Sequence, residues 1–338
     1  MPKMPSFLAS SALAALLAAV APAGAQSVPP PTAAEVSEWR LQAVPMPADN
    51  ISTPARSELG KTLFFDPRIS NAGAMSCASC HEPSLGWADG RKTSIVGSDV
   101  MGRASPTIVN LGYNTLYTWD GRKKNLEEHA VGPHRHLSAP DFKAAAERIS
   151  KIPGYQAMFA SAYPGEPIVV ETIAKAMAAF QRTVVSADSP FDRWLAGDTK
   201  ALTPQQYRGY TVFLDPNKGN CAACHKGSNF TDNGFHNIGL KTADPGRFAF
   251  LKVAAMKGAF KTPTLREIEM TAPYFHDGSA STLREVVDFY ARGGEDRSNV
   301  SPDVKKLDLT EQDKEDLVAF LRSLTSKFVA VVRPVLPQ

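Results

Sequence analysis

All four cysteines of this 338-residue chain fall in two copies of one pattern, Cys77-Ala78-Ser79-Cys80-His81 and Cys221-Ala222-Ala223-Cys224-His225. Two thiols separated by two residues and followed at once by histidine are what covalent c-type haem attachment requires. The thiols add to the two vinyl groups of the porphyrin, and the adjacent imidazole is thereby placed under the ring to ligate iron. Three other readings use the same residues. Four cysteines in an exported chain can form two disulfides. A thioredoxin-type redox pair needs Cys-x-x-Cys, but neither the histidine nor a duplicate. A four-cysteine zinc site normally sets its ligand pairs closer in sequence than 77 and 221. The duplicated histidine favours two haems.

The elements that must position these turns also come in two copies. Helical segments at Ser57–Phe65 and Leu202–Phe213 lead into the first and second pentads, each with a glycine in its middle (Gly60, Gly209) and aromatics towards its end. Thr203 followed by Pro204 is a good cap and first-turn pair. One helix leading into one haem-binding turn, twice, is a weak internal duplication. Further helical patterns occupy Thr32–Ala43 (after Pro29-Pro30-Pro31), Ala139–Ala162, Pro167–Val185, Ser281–Arg292 and Leu309–Thr325. Period-2 strands are scarce, so the expected fold class is mainly α. Gly- and Pro-bearing loops at Gly86–Arg103 and Gly227–Gly246 are long enough to wrap over haem faces.

Composition narrows the setting. Residues 1–25 read as a cleaved signal peptide: Lys3, an apolar run through Leu8–Val20, then Ala23-Gly24-Ala25 before Gln26. That run is too short to span a bilayer, and no later stretch approaches the roughly 20 apolar residues of a spanning helix. The expectation is a periplasmic protein with no membrane span. With 37 basic and 34 acidic residues and a formal charge of +3, nothing calls for nucleic acid as a partner.

With these motifs in place, the chain resembles the bacterial dihaem cytochrome c peroxidase superfamily, which includes MauG. The resemblance rests on Leu59-Gly60 and Leu63–Arg68, both pentads, Ser105-Pro106-Thr107 with Asn110, and Trp119-Asp120-Gly121-Arg122 with Leu126-Glu127-Glu128. It continues through Gly132-Pro133, Pro263–Arg266 and Thr271–Gly278, in the family's order. The resemblance implies two cytochrome c-like haem domains, 26–190 with the peroxide-reactive haem and 191–338 with the second, the haems meeting near the interface.

Three positions divide the family's members. Peroxidases that need reductive activation carry a second histidine some way after the first pentad. Here the matching stretch is Ser94–Asp99, and no histidine occurs between His81 and His129, which leaves the His81 haem with an open site for peroxide unless a more distant histidine fills it. The second haem's axial ligand lies fourteen residues beyond the Tyr-Phe-His histidine, His276. It is methionine in the peroxidases and tyrosine in MauG; here it is Tyr290, with Met256 and Met270 as alternatives if Tyr290 merely packs in its helix. A phenolate favours ferric and higher states, whereas a thioether favours ferrous iron. The third position is Trp119, which matches the tryptophan between the haems and implies a relay that splits one long electron jump into two.

Elsewhere the match fails. Splitting peroxide heterolytically needs a base above the iron. The family supplies a glutamine and a glutamate around the Gly-Pro block; here His129 takes the glutamine's place, and the glutamate is missing from Gly132–Ser138. Histidine can serve as that base, and His134 or His136 is the first choice, with His129 behind them. The family also binds Ca²⁺ through an asparagine after an arginine and around Thr-Ala-Pro. Thr271 and Pro273 are present, but Arg103 is followed by Ala104, so one oxygen would have to come from water. His236, His276 and Arg266 are expected to support haem propionates.

What the resemblance implies is a MauG-like oxidoreductase with two covalently bound haems c. It would use hydrogen peroxide to reach a high-valent dihaem state that oxidises a residue, such as tryptophan, on a partner protein. Within the superfamily it looks closest to the methanobactin-associated MauG-like enzymes, which convert a partner's tryptophan to kynurenine. Two alternatives stand beside it: a peroxidase drawing electrons from a small cytochrome or cupredoxin, and a non-enzymatic dihaem electron carrier with both irons six-coordinate.

Overall fold

The computed structural model describes residues 27–70, 73–96, 99–132 and 142–338. Among these residues, strand is confined to two antiparallel ribbons, β1 (Ile95–Val96) with β2 (Asp99–Val100) and β3 (Phe235–His236) with β4 (Phe260–Lys261). Helices make up most of the remaining regular structure, joined by long loops. α1 (Ala33–Trp39), α2 (Pro54–Phe65), α3 (Leu126–Ala130), α4 (Lys143–Ile149), α5 (Pro153–Ala162), α6 (Val170–Gln181) and α7 (Pro190–Leu195) come before the second pentad's helix, α8 (Pro204–Leu214). α9 (Phe248–Leu251), α10 (Leu283–Ala291) and α11 (Glu311–Arg322) follow it.

The duplication seen in the sequence is a duplication of packing. α2 starts at Thr53, whose hydroxyl accepts the Arg56 N–H, with Pro54 in the first turn. α8 starts at Thr203 and Pro204 with a reciprocal cap to Gln206. Each helix then crosses a partner at its central glycine. A Cβ on Gly60 would lie 1.9 Å from the Ala176 carbonyl oxygen of α6 and 2.8 Å from the Phe180 Cβ. A Cβ on Gly209 would lie 1.9 Å from the Asp316 carbonyl oxygen of α11 and 2.8 Å from the Phe320 Cβ. Glycine therefore sets how closely the helices approach in both halves.

Two buried cores result. The first gathers Leu59, Leu63, Phe64, Tyr155, Phe159 and Met177. The second is dominated by aromatics, with Phe191, Trp194, Tyr210, Phe213, Phe230 and Phe320 in mutual ring contact. The packing departs from a single division at 190/191 at both ends of the chain. Trp39 of α1 stacks on Phe230 at 4.9 Å and meets Phe191, Tyr210 and Phe213 edge-on, so α1 belongs to the second core. The Trp194 indole N–H donates to the Pro29 carbonyl. In return, the C-terminal segment lies on the first half: Val331 packs against its core, Arg68 donates to the Pro337 carbonyl, and Gly154 N–H to that of Gln338.

The single helix expected over Ala139–Ala162 is two helices. α4 ends at Ile149 and α5 begins at Pro153, because proline has no N–H to continue the ladder. Residues 139–141 lie outside the described residues.

Candidate functional site

Each pentad folds as one tight turn, Cys77–Ser79 and Cys221–Ala223. The His81 N–H donates to the Cys77 carbonyl at 3.0 Å, and the His225 N–H to the Cys221 carbonyl at 2.9 Å. The rings are tethered alike: His81 Nδ1 lies 3.1 Å from the Trp87 carbonyl, and His225 Nδ1 3.0 Å from that of Phe230. A neutral imidazole donating from Nδ1 keeps the Nε2 lone pair for a metal. Burial pushes the His81 pKa down and that of His225 down to about 4, against the opposing pull of these hydrogen bonds. Both rings are neutral at pH 7 and ready to ligate.

The thiols discriminate among the readings of the four cysteines. None is in a disulfide. Burial raises Cys77, Cys221 and Cys224 to about 12, and raises Cys80 as well. Redox thiols of the thioredoxin kind need the opposite shift. Nor do the cysteines converge on one zinc site, since Cys77 packs in the first core and Cys221 against the second. Among the described residues, the grouping of three metal-type donors is Cys224, Asp232 and His236, where the carboxylate and imidazole already pair at 2.8 Å.

One continuous cavity joins the pentads. His81 and the apolar side chains of Ile108, Val109 and Leu111 line one end; Cys221, Cys224, His225, Val287 and Tyr290 line the other. Paired thiols, a metal-ready imidazole and apolar walls at each end fit two haems.

Trp119 lines this cavity between the two ends. Its indole N–H donates to the Ala104 carbonyl at 2.9 Å, and its own carbonyl accepts the Lys261 N–H at 2.8 Å. Its ring meets His276 edge-on at 6.5 Å. The next residue, Asp120, ion-pairs with Arg103 and Arg122, both at 2.8 Å, while Arg247 donates to the Asp120 carbonyl. Gly121 has φ +65°, and a Cβ there would strike the Phe235 ring at 2.2 Å. The indole is thus fixed by its own hydrogen bond and by a brace of charged residues beside it. The Trp-Asp-Gly-Arg motif pointed to Trp119, but the brace from Arg103, Asp244 and Arg247 left no local signal in the sequence.

Tyr290 projects from α10 into the cavity, packed against Phe275 and Phe289; neither Met256 nor Met270 lines it. Burial, with the neighbouring Cys224 and Cys221 adding to it, raises the phenol pKa, so only a cation at the oxygen would stabilise a phenolate. At the other end His129, in the last turn of α3, lies in the cavity wall with its ring stacked on Tyr117 at 5.5 Å. His134 and His136 lie outside the described residues.

Two expectations need correction or trimming. Arg266 does not reach towards a propionate: it is fully buried, ion-paired with Asp192 at 2.9 Å, and donates to the Ser228 carbonyl from Nε and Nη2. Its Nη1 also donates to the Ser186 carbonyl at 3.3 Å, beside Asn110, whose side chain bonds Ser186 and Asn229. Thr271 and Pro273 line the cavity, but the Thr271 hydroxyl donates to the Ile268 carbonyl, and Ala104 offers no side-chain oxygen while its carbonyl takes the Trp119 indole. That donor set is thin for calcium. His236 and His276 both line the cavity, His276 stacked on Phe260 at 3.7 Å with its Nε2 unpartnered.

Two helical domains, each presenting a Cys-x-x-Cys-His turn to a shared cavity, define a dihaem cytochrome architecture. Family comparison agrees: residues 54–200 match the di-haem cytochrome c peroxidase family that includes MauG, and 207–325 match cytochrome c. The methylamine utilization protein MauG of Methylorubrum extorquens is 43% identical over 308 residues, covering 88% of this chain and 86% of its own. The cytochrome c551 peroxidase of Pseudomonas aeruginosa is 37% identical over 296 residues, covering 83% and 81%. Among solved structures, a MauG-like protein associated with microbial copper homeostasis superposes with a TM-score of 0.79 at 32% identity, covering 85% of this chain and 94% of that one. The chain belongs to the dihaem cytochrome c peroxidase/MauG family. It is a peroxide-using dihaem oxidoreductase, not a passive electron carrier, and no helix among its described residues is long and apolar enough to cross a membrane.

Proposed function

We propose that this protein is a periplasmic, MauG-like enzyme that oxidises a tryptophan on a partner protein. The observation that carries the reading is Tyr290 at the second haem's end of the cavity, where the methionine expected of a conventional peroxidase is missing. Cys77 and Cys80 would hold one haem c covalently and Cys221 and Cys224 the other, with His81 and His225 as the imidazole donors to iron. Bound haems supply peroxide reduction at one iron and storage of oxidising equivalents across both.

The chain's own groups do the rest. A histidine, His134 or His136 with His129 in reserve, moves a proton from the near to the far peroxide oxygen. Tyr290, as phenolate, favours the oxidised forms of its iron. Trp119 loses and regains an electron between the two ends, and the partner's side chain is the final reductant. No step uses calcium. The likeness to a MauG-like protein associated with microbial copper homeostasis favours a partner from copper handling.

Adding peroxide to the diferric protein without prior reduction tests this reading. Prompt loss of both ferric signals supports it. Turnover only after one-electron reduction establishes the conventional peroxidase instead, for which the P. aeruginosa relative is the precedent. Trp119→Phe keeps both haems but slows the coupled loss of the second ferric signal.

A further inference from the structure

Lys261 stands apart from the other cations of the cavity wall. Its side chain is buried, with 8% of its surface exposed, and lines the cavity. Among the described residues no carboxylate lies within ion-pair distance of its Nζ; the ammonium has one hydrogen bond, to the Thr262 carbonyl at 2.9 Å. A buried ammonium with a single neutral acceptor is costly, and proteins rarely keep one without a counter-charge. Desolvation accordingly pulls its pKa down to about 8, with Asp232 opposing.

Its place in the fold points to one end of the cavity. The Thr262 carbonyl that accepts Lys261 also accepts the Thr231 hydroxyl at 2.7 Å. Thr231 follows Phe230, whose carbonyl tethers His225. Asp232 comes next, its N–H bonded to the Cys224 carbonyl at 2.9 Å. Through its backbone, Lys261 also donates to the Trp119 carbonyl. One residue therefore joins the second haem's turn to the tryptophan between the two ends. The other cations near Trp119 are spoken for, since Arg103 pairs with Asp120 and Asp244, and Arg247 bonds carbonyls.

We propose that Lys261 is the counter-charge for a propionate of the haem held by Cys221, Cys224 and His225, and that it thereby fixes that haem's edge relative to Trp119. The haem brings the carboxylate that the protein itself withholds. Lys261 is a positioning residue: it acts on the haem's placement and potential, not on peroxide.

The test uses the full dihaem protein and reads each haem's redox titration separately, with haem content as a control. Lys261→Met and Lys261→Gln remove the charge, Gln keeping a donor for the Thr262 carbonyl; Lys261→Arg restores the charge. Losing a positive charge beside the second haem favours its ferric form. At a fixed electrode potential its ferrous-to-ferric ratio should fall about tenfold in the Gln variant, a shift of ~59 mV for a one-electron couple. The His81 haem should stay in place on that scale, and Lys261→Arg should return the second haem to the wild-type value. A second-haem potential unchanged in both Met and Gln variants that retain two haems overturns the proposal. So does a shift confined to the His81 haem. Should Lys261→Met not fold, the Gln and Arg pair decides alone. The readout does not depend on the partner, so it separates this proposal from the reading of protein oxidation.

Discussion

The two halves are near copies around their pentads and differ in what else they bring to the cavity. Each has a glycine crossing, at Gly60 on α6 and at Gly209 on α11, and each ties its pentad histidine to a backbone carbonyl five or six residues on. In the cavity wall the first half also places His129 and Tyr117, and the second Tyr290. The lesson is that the pentad turns and their tethered histidines come from a repeatable scaffold, whereas the two ends of the cavity differ in the few other residues that line them.

The largest test of that contrast removes the acid/base group from one face only. His134→Ala combined with His136→Ala should slow the peroxide reaction by ~10²- to 10⁴-fold, with the second haem's spectrum intact. His129→Gln, which restores the family's residue, should change it by less. If His129→Gln has the larger effect in stopped-flow mixing, the base is His129.

The next test asks whether the scaffolds really match. Gly60→Ala and Gly209→Ala each push a methyl to within 1.9 Å of a backbone oxygen, and each should cost about 3 kcal/mol or more in denaturant titrations. Very unequal losses would show that the duplication is one of sequence pattern alone.

A smaller contrast lies just beyond the crossing helices, where both halves place an Asp-Pro pair. Asp66 is fully buried; burial raises its pKa, but hydrogen bonds from Arg68 and Tyr155 outweigh this and leave it below the ordinary 3.8. A carboxylate lowered in this way stabilises the fold above the ordinary carboxylate range, and that contribution fades as pH falls below about 4. Asp66→Asn should cost about 2 kcal/mol at pH 7 and progressively less in acid, because Arg68 is partly exposed and softens the loss. Asp215, whose carboxylate accepts a local turn bond from the Asn217 N–H, should tolerate Asn within ~0.5 kcal/mol in thermal melts.

What the sequence could reveal followed from how local each signal is. The pentads, the Thr203–Pro204 cap and the central glycines are written within a few residues, though not what those glycines cross, and the place of Tyr290 in the cavity wall followed from counting on from His276. Contacts made across the molecule were not legible. The seating of Trp39 in the second core depends on Phe191, Phe213 and Phe230, which nothing near residue 39 announces. Arg266 read as a propionate partner because arginine suits carboxylates, but Asp192, remote in sequence, claims it first. Lys261 gave no sign at all: one lysine beside Phe260 and Thr262 looks ordinary until burial strips it of water.

The crossed chain ends have a consequence for anyone dividing this molecule. Val28 and Trp39 close the second core, and the segment carrying Val331, Pro337 and Gln338 closes the first. A cut between the halves would leave each without its own lid and carrying its neighbour's. The two irons are therefore sewn together from both sides, and the spacing an electron must cross is built into the path of the backbone.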